Sequence, residues 1–155
     1  MSHWKYKGKP LSEVPQGFFG FVYIITNSKN GKKYIGRKYF GTTRRVKVKG
    51  KTRRKIVRKE SDWRTYVGSS KTLTSAIEKF GYDNFTFEIL FLGETKGQVN
   101  YMEENIQHKA NVMIRDDYYN DCIGSRKFVS VKFTDRSKAL IFETISPQKL
   151  VCAHQ

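Results

Sequence analysis

Two tyrosines, Tyr23 and Tyr34, stand eleven positions apart in the stretch FVYIITNSKNGKKYIG, with Asn30-Gly31 between them. An Asn-Gly pair between β-branched and aromatic runs is a strong hairpin signal. The two phenols therefore sit on opposite strands of one hairpin and can reach the same side of a sheet. One phenol there could orient or deprotonate a water while the other binds phosphate, which is work that phosphodiester hydrolysis requires. Such a reaction also needs counter-charge for the phosphate and help for the leaving oxygen. Glu103 and Glu104 offer a carboxylate for a hard divalent ion, and Mg²⁺ takes few protein ligands while keeping several waters. Three arginines offer the cation: Arg64 in SDWRTY, Arg37 directly after KKYIG, and Arg44 within a basic run. Each residue also has a plainer reading. Tyrosines are good strand formers, and paired glutamates are mostly solvated surface groups.

The elements that position these residues can be read from periodicity. FGFVYIITN, residues 19–27, and the return run KKYIG form an antiparallel hairpin. In SSKTLTSAIEKFG, Leu73, Ala76, Ile77 and Phe80 recur at helical spacing; Ser69 or Ser70 can cap the start, and Gly81 the end. NFTFEILFLG reads as a central third strand. Thr95 and Gln98 then have capping-box spacing, and Val99, Met102 and Ile106 share one face of a second helix. A polar loop follows as far as Asn120. KFVSVKFTD reads as a further strand, and RSKALIFETI is ambiguous between helix and strand. A lone His108 after the glutamates is a surface or supporting residue. Trp4 and Trp63 read as packing residues, with stacking of Trp63 on an exposed base as the alternative.

Charge points to the partner. A net charge of +16 on 155 residues attracts polyanions, nucleic acid first and an anionic membrane second. Twelve of the Lys and Arg residues fall between Arg37 and Lys59, where there is no acid. The alternation RVKVKGKTRRKIV around Lys49-Gly50-Lys51 favours a two-stranded ribbon over a disordered loop. Arg44, Arg45, Lys47, Lys49, Lys51, Arg53, Arg54, Lys55 and Arg58 are its candidate DNA contacts. Any of the three arginines above could equally be a backbone contact of this kind. The basic run lacks the sustained apolar face of an interfacial helix, which argues against the membrane. No apolar run is long enough to span a bilayer, and the N-terminus lacks the apolar core of a secretion signal. A soluble, cytoplasmic protein is expected. Cys122 and Cys152 have no CxxC spacing, so neither zinc nor a disulfide framework is indicated. The length suits one domain, residues 1–155, with one core.

FVYIITN plus KKYIG, followed by a helix, a third strand, a Glu-bearing helix and a late Asn, resembles the GIY-YIG nuclease domain over residues 18–124. ESDWRTYVGSS and FGYDNFTFEIL resemble its small phage-borne, homing-endonuclease-like members. Two departures stand out. The first motif reads Phe21-Val22-Tyr23 after Gly20, and the basic segment 37–59 is inserted where other members run directly into the first helix. Residues 125–155 form a C-terminal extension.

The resemblance implies an α/β (α+β) fold with a small central antiparallel sheet flanked by helices and carrying the basic ribbon or loop. It implies a Mg²⁺-dependent (or Mn²⁺-dependent) endonuclease acting on DNA, most simply a duplex, with a homodimer as one route to double-strand cleavage. Tyr23 and Tyr34 take the tyrosine roles, Glu103 rather than Glu104 the metal, and Asn120 supports the site. Arg64 is favoured as the cation, then Arg37, then Arg44. The competing expectation is a degenerate, non-catalytic DNA-binding relative. The joint presence of Tyr23, Tyr34, Glu103 and Asn120 tilts against it, because a carboxylate repels phosphate unless a metal intervenes.

Overall fold

The computed structural model describes residues 1–124 and Asp135. The chain order is β1 (Lys5–Tyr6), β2 (Lys9–Pro10), β3 (Gly20–Asn27), β4 (Lys33–Tyr39), β5 (Gly41–Val46), β6 (Lys55–Glu60), α1 (Lys71–Phe80), β7 (Phe85–Gly93) and α2 (Lys96–Lys109). Five strands form one sheet in the order β2-β1-β7-β3-β4, and β5 and β6 form a separate pair. The expected hairpin is β3–β4. Its Asn-Gly turn leaves Tyr23 opposite Gly36 and Ile25 opposite Tyr34. Paired positions share a face and side chains alternate along a strand, so the two tyrosines are diagonal neighbours on one face.

β3 is buried along most of its length because both of its faces are covered. On one side Phe21, Tyr23 and Ile25 join Trp4, Trp63, Leu73 and Phe87 in an aromatic core. On the other, Val22 and Ile35 pack with Val99, Val112 and Ile123 beneath α2. Both helices start at side-chain caps. The Leu73 amide donates to Ser70 Oγ at 3.4 Å, and the Gln98 amide donates to Thr95 Oγ1 at 3.2 Å. α1 stops at Gly81, whose φ of 88° suits glycine and whose amide bonds the Ile77 carbonyl.

The sheet is mixed rather than wholly antiparallel, because β1 pairs in parallel with β7. Strands of two residues carry no periodicity, so β1 and β2 left no trace in the sequence pattern. What fixes them is Trp4, which is fully buried and donates its indole N–H to the Trp63 carbonyl at 2.6 Å. Trp63 is equally buried, so it packs and has no face free for a base. The basic segment is a ribbon: β5 and β6 pair over six positions from Gly41↔Glu60 to Val46↔Lys55. At its tip the Lys51 amide bonds the Val48 carbonyl around Lys49-Gly50, with Gly50 at φ 82°. Cys152 lies outside the described residues, as do the strand expected at KFVSVKFTD, apart from Asp135, and the ambiguous RSKALIFETI.

Candidate active site

β4 is one of the two edges of the main sheet, and residues 117–120 and α2 close over it. Residues 117–120 run beside it: the Lys33 amide donates to the Asp117 carbonyl at 2.9 Å, and the Tyr119 amide donates to the Lys33 carbonyl at 2.7 Å. Asn120 then completes the edge with its side chain. Its Oδ1 accepts from the Ile35 amide at 3.0 Å and its Nδ2 donates to the Ile35 carbonyl at 2.7 Å. This buried asparagine acts as a surrogate strand that fixes the backbone between Tyr34 and Gly36. Gln107 Nε2, from α2, donates to the same carbonyl at 2.9 Å.

Tyr23, Tyr34, Arg37, Glu103 and Asn120 line one cavity of about 670 Å³, together with Tyr66, Ser69, Ser70, Lys71 and Gln107. The Tyr23 and Tyr34 rings lie 6.2 Å apart between centroids. Gly36 makes this possible, since a Cβ there would lie 2.5 Å from the Tyr23 hydroxyl and 2.9 Å from the Tyr34 ring. Burial pushes the Tyr23 phenol well up, with the neighbouring Tyr34, Tyr66 and Glu103 adding to it. Tyr34 is pushed up to about 12, again chiefly by burial, against a hydrogen bond with Ser69 that lowers it. At neutral pH both are therefore neutral hydrogen-bonding groups.

Glu103 lies on the ridge Val99–Glu103–Gln107, the three residues of α2 that are buried. Spacing of four places all three on one helix face. Burial raises the Glu103 carboxyl, and Arg37, its ion-pair partner, pulls it back down. Glu104 is exposed, as is His108. Ser69, Ser70 and Lys71, at the start of α1, also line the cavity, so the positive end of that helix dipole lies beside it.

The three candidate arginines lie in different places relative to the cavity. Arg64 is not among the cavity-lining residues; it pairs with Glu60, lies over the Trp63 ring at 4.7 Å and donates to the Ser12 carbonyl at 3.3 Å. Arg44 is exposed on the ribbon. Arg37 reaches the cavity from β4, and Lys71 from α1. The twenty-residue ribbon separates the second tyrosine motif from its helix, so counting along the chain could not find Lys71. The cap residue Ser70, legible in the sequence, would have pointed to the residue after it.

A protein-family model described as "Putative endonuclease segE, GIY-YIG domain" matches residues 4–123. The chain belongs to the GIY-YIG family. It is 32% identical over 105 residues to "Putative endonuclease segD" of Enterobacteria phage T4, a match that covers 68% of this chain and 38% of that relative. The chain thus spans well under half the length of the curated relative. No solved structure matches significantly.

Whether these residues fit a GIY-YIG metal ion can be judged from the donors. Among the described residues no cluster of three or more His, Cys, Asp or Glu exists, so a fully protein-ligated ion of the zinc type does not fit. A hydrated ion held by one carboxylate does. Gln107 Oε1 is the buried side-chain oxygen that lacks a hydrogen-bond partner among the described residues, one helical turn from Glu103. Buried acceptors are normally satisfied, and the water shell of a cation on Glu103 would satisfy this one. Gln107 was missed in the sequence because Val99, Met102 and Ile106 already accounted for an apolar face; its spacing of four from Glu103 was the available signal.

Proposed function

We propose that this GIY-YIG chain is an endonuclease that hydrolyses phosphodiester bonds of DNA with the help of Mg²⁺ or Mn²⁺. The observation that carries the reading is the convergence of Tyr23, Tyr34, Arg37 and Glu103 on one cavity, from both strands of a hairpin and from a helix distant in sequence. An ordinary DNA-binding surface gains nothing from burying a carboxylate beside its phosphate site. Glu103 would hold the divalent ion, which supplies Lewis-acid neutralisation of the phosphate charge.

The residues of the chain divide the remaining work. Tyr34, the less buried phenol, accepts a hydrogen bond from the attacking water and orients it towards phosphorus. Tyr23, whose ring lies 6.2 Å from that of Tyr34, stays neutral and extends the row of phenol hydroxyls along which the water's proton passes to bulk solvent. Arg37 and Lys71 face the non-bridging oxygens and stabilise the charge that builds on them. Water oxygen bonds to phosphorus, the ester P–O bond breaks, and the departing oxygen takes up a proton. Asn120 reaches none of the reacting atoms in this scheme and instead fixes Tyr34 through the Ile35 backbone.

One such cavity cuts one strand at a time, so double-strand cleavage would use a second copy of the chain or a second event. The site of action in this reading is the cytoplasm of a phage-infected cell, where DNA is at hand. The test is plasmid nicking with Mg²⁺ or with EDTA, comparing the wild-type chain with Glu103→Ala and measuring DNA binding in parallel. Metal-dependent nicking that the substitution abolishes, with binding kept, is the expected result. Binding by both proteins without cutting of any duplex or branched DNA would leave a DNA-binding relative in place of an enzyme.

A further inference from the structure

The β5–β6 ribbon carries more than phosphate affinity requires. A surface that only rests on a sugar-phosphate backbone needs cations on one face. Register puts Arg44 opposite Val57, and Val46 opposite Lys55, on one face of the ribbon; Arg45 opposite Ile56, and Thr43 opposite Arg58, lie on the other. Both faces are therefore basic, and both are open to solvent along all six pairs. Each also exposes β-branched apolar side chains: Val46 is 41% exposed, Val57 42% and Ile56 57%. Cations facing both ways suit a slot with phosphates on two sides. Apolar groups between them suit what lies on the floor of that slot.

The geometry points to this ribbon entering the major groove of B-form DNA and touching base edges there. The inference rests on the DNA partner proposed above but not on catalysis. A two-stranded ribbon fits a major groove about 12 Å wide and not a minor groove about 6 Å wide. Six residues per strand at roughly 3.3 Å each give about 20 Å of ribbon, enough to cross the groove from one phosphate wall to the other. Within it, arginine pairs with guanine O6 and N7, and an apolar side chain meets the thymine methyl. The deep, narrow major groove of A-form RNA cannot admit such a ribbon, so a DNA duplex is selected over duplex RNA. The basic segment would then supply base readout as well as affinity.

The probe is methylation of guanine N7, a major-groove atom. The 155-residue chain is bound in EDTA, where cutting is not required, to a duplex library partially methylated with dimethyl sulfate; bound and free fractions are then compared position by position. Methylation at a few guanines within one helical turn should weaken wild-type binding by about tenfold or more, the scale of one lost bidentate contact. In Arg44→Ala/Arg45→Ala the interference pattern should fade while residual salt-sensitive binding remains; Ile56→Thr/Val57→Thr, which keeps β-branched residues, should instead lose the wild type's weaker binding to duplexes with uracil in place of thymine. Wild-type binding that ignores N7 methylation, an unchanged pattern in the double-arginine variant, or equal affinity for duplex RNA would each overturn the inference. Interference without any Mg²⁺-dependent nicking would leave the ribbon assignment standing and sink the nuclease reading instead.

Discussion

Burial is the main cause that pushes the Tyr34 phenol up to about 12 from its ordinary value of 10.0. A raised folded value means that the folded state holds the proton more tightly than the unfolded state. The resulting stabilisation is complete below about pH 10 and is lost as pH climbs towards about 12. Tyr34→Phe removes this proton linkage, so its stability should fall less steeply than that of the wild type across that window. Urea midpoints measured at closely spaced alkaline pH values would show it, and parallel slopes would contradict the assigned burial. Gln107 offers a second prediction at this scale. Replacing it with Leu removes an orphaned acceptor and leaves the Ile35 carbonyl still bonded by Asn120. Folding stability should change by less than about 1 kcal/mol. If Gln107 Oε1 meets the shell of a cation on Glu103, the Mg²⁺ concentration for half-maximal nicking should rise about tenfold, the lower end for loss of an outer-shell partner. A Mg²⁺ titration identical to that of the wild type would remove Gln107 from the site.

β4 shows how an element converts sequence into geometry. Gly36 sits in its middle, opposite Tyr23, with no room for a Cβ. Gly36→Ala should therefore cost about 1–3 kcal/mol by overpacking and tilt one tyrosine off its position. Gly31→Ala in the turn meets nothing within 4 Å and should be felt only through its φ of 72°. Urea unfolding of the two variants separates packing from backbone strain: the Gly36 variant should lose nicking beyond its stability loss, and the Gly31 variant should not. The hairpin was legible because Asn30-Gly31 and the flanking alternation are local signals, as were Ser70, Gly81 and Thr95 at the helix ends. β1, the Asn120 bonds to Ile35 and the inward turn of Gln107 were not, because each depends on a partner more than seventy residues away in the chain. The place of Arg64 outside the cavity has a local cause instead. Its neighbours in sequence resume the family pattern, but Glu60, four residues before it, captures its guanidinium at the ribbon's root.

At the scale of the molecule, most of the charge and the candidate site occupy different parts of the chain. The segment 37–59 holds twelve cations and no acid, which leaves the other residues near balance with 18 basic against 14 acidic. Among those twelve, Arg37 lines the cavity, while the ribbon cations stand exposed on β5, β6 and their connection. Affinity and catalysis should therefore respond to different changes. Neutralising Lys47, Lys49, Lys51 and Arg53 together at the ribbon tip removes up to four phosphate partners. The slope of log K against log salt should become shallower by about 0.9 for each partner lost. Because these residues are exposed, urea unfolding should be nearly unaffected. At saturating DNA the single-turnover nicking rate should also stay within a few-fold of wild type, since none of the four touches the cavity. Glu103→Ala should show the converse: an unchanged salt slope and no metal-dependent nicking. If the tip variant loses the chemical step even at saturation, the ribbon positions the scissile phosphate directly, and the separation of binding from chemistry argued from these positions is wrong.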